Sequence, residues 1–371
     1  MRVLGGDFWR RESARAAGPD AAGTYVGVQL LRGLAAVMVV VFHAGLMVRD
    51  RIPEIGERLV AVAGAAGVDL FFPISGFVML ISARHLAARR DGWRVFAERR
   101  LIRIVPLYWL ATTAKVALVL AVPAAALHTD LSWWHGVASY LFIFARNGHG
   151  LLEPIVPVGW TLNYEMFFYA VFAAVLFCRR PLVLTLSAVM LVAVLAGALG
   201  LRTITPLAML HPIVLEFVAG MWIAALTQAG FRAHPAAAVA LALAALAALA
   251  ATSALAPAEI ERARLLLWGL PGAALLFAAV SLEPAIARLR WRLSRLAGDA
   301  SYSIYLSHGF VLAFCGVAAA KAGLHGVPAA AAVFAVSIAA SVAAGICVYA
   351  WVERPIIEFL LRWRRRRGAP P

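Results

Sequence analysis

The stretch Gln29-Leu-Leu-Arg-Gly-Leu-Ala-Ala-Val-Met-Val-Val-Val-Phe-His-Ala44 belongs to an apolar run long enough to cross a bilayer, yet it carries Arg32 and His43. At about 100° per residue, the eleven steps between them come to roughly 20° past three full turns, so both side chains share one face, ~16 Å apart along the helix. Ionisable groups inside a membrane helix are costly and usually face a protein interior or a wet cavity. Two on one stripe predict a polar path through the membrane. The alternative is an arginine and a histidine each snorkelling to its own surface.

Composition supports a membrane chain. Of 371 residues, 63% are hydrophobic and 14% charged, against about 25% charged in soluble domains. Apolar windows near 28–48, 61–83, 101–122, 160–178, 181–200, 206–228, 235–255, 264–282, 301–320 and 329–351 predict an all-α, polytopic protein of about ten transmembrane helices. Residues 133–145 are too short to add an eleventh span and read as interfacial or re-entrant.

Positive charge concentrates on cytoplasmic loops. With ten spans and both termini in the cytoplasm, Arg84 to Arg103, Arg288 to Arg295 and Arg354 to Arg367 all fall inside. Adding a span at 133–145 would abolish that bias. Topology thus accounts for the net charge of +15, and no nucleic-acid partner is expected. Residues 1–24 form a basic cytoplasmic arm without the apolar core of a signal peptide. Residues 25–355 form the membrane domain, and 356–371 a basic tail suited to anionic lipid. Cys178, Cys315 and Cys347 lie in apolar runs with no metal-ligand spacing. The Ala/Leu/Val-rich 235–251 is expected to pack or face lipid.

On this topology, His43, Asp69 and Glu165 lie in the outer half of the bilayer. A carboxylate there could fix an imidazole, and the imidazole could take a proton from a hydroxyl. An ion-paired structural network is the alternative. Arg100 and Arg103, on one helix face near the cytoplasm, suit a phosphate-bearing ligand. Ser301, Tyr305 and His308 share a face ~10 Å in from the cytoplasmic surface; interhelical hydrogen bonding would also explain them. Two polar layers, one facing each side, suit a reaction that takes one substrate from each compartment. Proton-coupled transport would use similar residues.

Six motifs in order resemble the acyltransferase-3 family of bacterial integral-membrane acyltransferases. They are Arg32 with His43, GVDLFFPISGF (67–77), RRLIRIVPLYW (99–109), GWTLNYEMFFY (159–169), SYSIYLSH (301–308) and ERP (353–355). The wording around 159–169 looks most like members that decorate exopolysaccharide. Pro73 replaces a usual aliphatic residue, and Asn163-Tyr-Glu-Met replaces a double-acid version. The resemblance implies a multi-pass enzyme of the bacterial inner membrane with no permanently bound cofactor. It would move an acyl group, commonly acetyl from acetyl-coenzyme A, to a hydroxyl of a glycan or lipid-linked saccharide; a small-molecule acceptor is the narrower alternative. It implies Arg32 and His43 as the essential pair, Glu165 as a motif glutamate, and Arg100 and Arg103 near the acyl donor. By their positions, Asp69 is expected beside the pair, and Tyr305 and His308 on the donor side.

Overall fold

The computed structural model describes residues 25–52, 58–122, 131–289 and 292–366, so the expected arm at 1–24 and the last residues of the tail lie outside it. Among the described residues the protein is helical throughout, with no strand. In hydrocarbon every backbone N–H and C=O must be satisfied within the chain, and a helix does this segment by segment. The main helices are α1 (Val26–Arg51), α2 (Gly67–Ala83), α3 (Gly92–Ala121), α4 (Trp133–Tyr140), α5 (Trp160–Phe177) and α6 (Leu182–Ala198). They continue with α7 (Val214–Gln228), α8 (Pro235–Ala251), α9 (Leu270–Ser281), α10 (Arg292–Lys321), α11 (Gly326–Val348) and α12 (Arg354–Arg366).

Seven helical segments are long and apolar enough to cross a membrane, and Leu182–Ala198, Val214–Gln228 and Leu265–Ser281 are shorter apolar helices. Together they coincide with the apolar windows of the sequence. The protein is therefore a multi-pass membrane protein. At 8 residues, α4 is only ~12 Å long and does not cross. Two helices extend well beyond their apolar windows. α3 begins nine residues before Leu101, and α10 nine before Ser301. Both shifts matter for the depth of the polar residues.

α1 is the central strut. It packs along α10 and touches α2, α9 and α11. Its first turn is fixed from a distance: the N–H groups of Val26 and Gly27 donate to Glu283 Oε1 and Oε2 at 2.6 and 2.8 Å. A carboxylate there satisfies orphan donors and complements the helix dipole. α2 and α7 cross so closely that each uses a glycine. A Cβ on Gly76 would stand 1.9 Å from the Phe217 carbonyl, and one on Gly220 1.8 Å from that of Pro73. Beside the crossing, Phe168 stacks on Phe217 at 4.5 Å and Phe96 on Phe172 at 4.5 Å. α8 buries little beyond Ala238, Ala245 and Leu249, as expected of a lipid-facing helix. The three cysteines are free; Cys178 is exposed at the end of α5 instead of buried.

At the C-terminus, a π-helical turn, Tyr349–Glu353, joins α11 to α12. α12 is amphipathic: Ile357 and Leu361 are buried, while Phe359 and Trp363 are exposed. Arg354 and Arg362 donate to Glu358 at 2.9 and 2.8 Å, and Arg364 reaches Glu98 of α3 at 2.8 Å.

Gly76→Ala and Gly220→Ala should each destabilise the detergent-solubilised protein by roughly 1–3 kcal/mol, the cost of overpacking a close contact. The thermal midpoint should fall by several degrees. Gly136→Ala, where nothing lies within 4 Å of the added Cβ, should not lower it. Equal midpoints for all three would contradict the α2–α7 crossing.

Candidate active site

α1, α2, α3, α5 and α10 enclose a cavity of about 140 Å³. Its polar lining comes from Arg32, Ser75, Arg100, Arg103, Thr161, Glu165, Tyr169, Ser301 and Tyr305, and its apolar walls include Phe71, Phe72 and Val68. Among the described residues lining it, Glu165 is the only carboxylate. Ser75 Oγ donates to Glu165 Oε1 at 2.7 Å. Tyr169, one turn along α5, donates to the same oxygen. The four-residue spacing puts Glu165 and Tyr169 on one stripe, and Ser75 reaches across from α2.

The arginines divide by how far their donors are committed. Arg103 is paired with Glu353, which also accepts from Ser303 and is almost fully buried. Its guanidinium lies 5.7 Å from the Tyr302 ring centroid. Arg100 donates from Nη2 to Ser82 at 2.7 Å and lies over Phe96, and its buried Nε has no partner among the described residues. Arg32 makes a 3.3 Å bond to Gln29 from its own helix. Arg32 and Arg100 are therefore the guanidiniums able to meet an anion in the cavity; Arg103 is already neutralised.

Tyr305 closes one side. Its hydroxyl donates to the Val158 carbonyl at 2.8 Å and shares a 2.9 Å contact with Thr161. Beyond it lie two histidines outside the cavity lining. The His308 ring centroid is 6.1 Å from that of Tyr305 and 5.0 Å from that of His43.

This arrangement corrects the two-layer expectation. Glu165 does not join His43; it joins the arginines. Depth had been counted from the ends of apolar windows, and α3 starts earlier, at Gly92. Arg100 and Arg103 thus sit ~12 to 16 Å inside the helix, within reach of α5. His308 moves the opposite way. Because α10 starts at Arg292, His308 lies ~24 Å along it, against His43 and away from Arg100 and Arg103. Tyr305 and Ser301 stay with the cavity.

Asp69 leaves the group altogether. Its two oxygens accept from Arg264 Nε and Nη2 at 2.8 and 3.0 Å. Arg264 is in turn flanked by the Trp160 and Trp268 rings at 5.5 and 5.1 Å and by Glu261 at 3.3 Å. A buried carboxylate needs such a partner. Arg264 opens the apolar window 264–282, and no local spacing ties it to a residue 195 positions away. Glu353 and Ser303 were visible inside quoted motifs, but nothing local marked them as partners of Arg103. His43 itself is half-buried, with Nδ1 2.9 Å from the Val39 carbonyl. Neither Asp69 nor Glu165 orients it. No group of three or more His, Cys, Asp or Glu suited to a metal occurs among the described residues.

Comparison with known proteins adds a family. The model described as "Acyltransferase domain" matches residues 25–346. The chain is 39% identical over 309 residues to "Exopolysaccharide production protein ExoZ" of Rhizobium meliloti (strain 1021), covering 82% of this chain and 92% of that protein. It is 26% identical over 376 residues to "Acyltransferase MdmB" of Streptomyces mycarofaciens, covering 92% and 93%. It is 29% identical over 154 residues to "Putative membrane-bound transacylase BcsY" of Komagataeibacter xylinus, covering 38% and 34%. No solved structure matches the chain.

Removing one partner of a buried ion pair leaves an uncompensated charge and costs about 3–5 kcal/mol. Arg264→Leu should therefore lower protein yield and thermal midpoint sharply. Asp69→Asn with Arg264→Gln should recover most of the loss. Acyl transfer per folded molecule should change little in the double variant; a hundred-fold drop would return Asp69 to the chemistry.

Proposed function

The chain belongs to the acyltransferase family whose domain spans residues 25–346, and we propose that it moves a short acyl group, acetyl from acetyl-coenzyme A, to a hydroxyl of an exported glycan. The observation that carries this reading is the cavity where Arg32, Arg100 and Glu165 converge among membrane helices. Guanidiniums recognise phosphate with directed donors. Arg32 and Arg100 have donors to offer the anionic donor molecule, while Arg103, held by Glu353, shapes the wall. A cavity of about 140 Å³ compares with the ~150 Å³ that holds benzene in an apolar protein core. It has room for a short acyl thioester and its neighbouring methylenes.

His43 supplies the base in this mechanism. With Nδ1–H donated to Val39, Nε2 carries the lone pair and can take the acceptor hydroxyl's proton as oxygen attacks the thioester carbon. Glu165, tied to Ser75 and Tyr169, balances the arginine charge within the cavity and positions the donor. Ten spans with both termini in the cytoplasm would open the arginine side to coenzyme A and the histidine side to the outer face of the inner membrane. The glycan acceptor rests on the similarity to a relative named for exopolysaccharide production.

Deleting the gene should remove O-acetyl signals from surface or secreted glycan in proton NMR spectra, and re-expression should restore them. His43→Ala should cut transfer from labelled acetyl-coenzyme A by ~10²–10⁴-fold at normal protein level, the usual worth of general-base help. Arg100→Ala should chiefly raise the KM for acetyl-coenzyme A. Unchanged O-acetylation in the deletion strain would end the glycan reading; full activity of His43→Ala would remove His43 from the mechanism.

A further inference from the structure

α1 and α10, running side by side, bring His43 and His308 into contact. The rings touch at 5.0 Å between centroids, tilted by 53°. Each Nδ1 lies against a carbonyl of its own helix: His43 against Val39 at 2.9 Å, His308 against Tyr305 at 2.6 Å. A carbonyl only accepts, so each Nδ1 carries the hydrogen and each neutral ring keeps a lone pair on Nε2. His308 has no exposed surface, and its Nε2 has no hydrogen-bond partner among the described residues. Leaving a buried acceptor unmade is costly.

Among the described residues, no carboxylate forms a hydrogen bond or ion pair with either ring. Of the elements packed on α1 and α10, α2 brings Asp69, held by Arg264; residues 283–286 bring Glu283, which caps the start of α1; α3 brings Arg100 and Arg103, and the 349–353 turn brings Glu353, paired with Arg103. α10 brings Asp299, ~13 Å along the axis from His308, and Lys321, ~20 Å the other way. Tyr302 and Tyr305 of α10 donate to the carbonyls of Ile104 and Val158. The 62–66 turn, α9 and α11 bring no charged residue. On α1 itself, Arg32 lies ~16 Å away, and Arg49, Asp50 and Arg51 lie ~9 to 12 Å away. Among the described residues, the acceptor beside a positive charge on His43 is therefore Nε2 of His308.

We infer that His43 and His308 act as one proton-holding pair, with His308 a positioning residue that works through His43. This rests on the reading of His43 as the base. The acceptor's O–H proton passes to His43 Nε2 as its oxygen bonds to the thioester carbon. The proton is then shared with, or passed to, His308 Nε2. The C–S bond breaks with its electron pair going to sulfur. The proton returns through His43 to that thiolate, and both rings end as they began. Atoms and charge balance without a further reactant.

The test uses the full chain in native membranes, with radiolabelled acetyl-coenzyme A as donor and chemically de-O-acetylated exopolysaccharide of the host as acceptor. His308→Gln keeps a polar side chain of similar length. It should leave the KM for acetyl-coenzyme A within about two-fold and lower kcat ten-fold or more. Its acid limb should move to lower pH, because the remaining imidazole holds a proton alone. In His308→Ala, millimolar imidazole should restore at least part of the lost rate. A kcat within two-fold of wild type in His308→Gln overturns the inference. So does a loss with an unmoved pH profile and no rescue by imidazole, which marks a structural role. His43→Ala, run in parallel, separates the two readings. If it is inactive while His308→Gln is unimpaired, only the pair fails; if it remains active, the base assignment fails and takes the pair with it.

Discussion

A guanidinium inside hydrocarbon must find a counter-charge or a space that admits a ligand or water. This protein solves that problem in two ways, and the contrast separates framework from site. Arg264 and Arg103 are each matched to a buried carboxylate, Asp69 and Glu353, that lies far away in sequence. Both pairs bolt distant helices together. Among the described residues, neither Arg32 nor Arg100 is ion-paired with a carboxylate. They face a cavity whose own acid, Glu165, is occupied with two hydroxyls. The cavity persists because the two framework pairs keep its walls in place while these guanidiniums stay available.

The helices, the membrane character and the short non-spanning α4 were legible in the sequence, because hydropathy reports directly on the solvent each segment meets. The single-helix geometry was legible too: Glu165 and Tyr169 meet as their spacing says. Depth was not. Counting from the edge of an apolar window misplaces a residue whenever the helix continues past that edge through charged residues. α3 and α10 both do so, which sent Arg100, Arg103 and His308 to unexpected levels. Partnership across 195 or 250 positions was not legible either. Nothing in the neighbourhood of Asp69 or Arg103 names Arg264 or Glu353, since those contacts exist only after the helices have packed.

The same limit applies to the histidines. Motif order placed both inside the membrane, but their contact depends on α1 and α10 running side by side. On the sequence alone, a carboxylate is expected beside His43, and His308 is expected with the arginines. Packing gives each the other. The close glycine crossing of α2 and α7 acts at one remove: it fixes the helix that carries Ser75 to Glu165.

The π-helical turn at Tyr349–Glu353 has a mechanical meaning. Its last residue holds Arg103 in the cavity wall, and the next begins the amphipathic α12, whose Phe359 and Trp363 stand clear of the protein. The path is short: one wound segment separates α12 from the carboxylate that holds a cavity-lining cation, and Arg364 ties the same helix to Glu98 of α3. Shortening the polypeptide before Glu353 would strip Arg103 of its anion, whereas a reporter fused beyond Arg366 leaves that clasp intact. The amphipathic tail and the buried chamber are thus joined both along the backbone and by an ion pair.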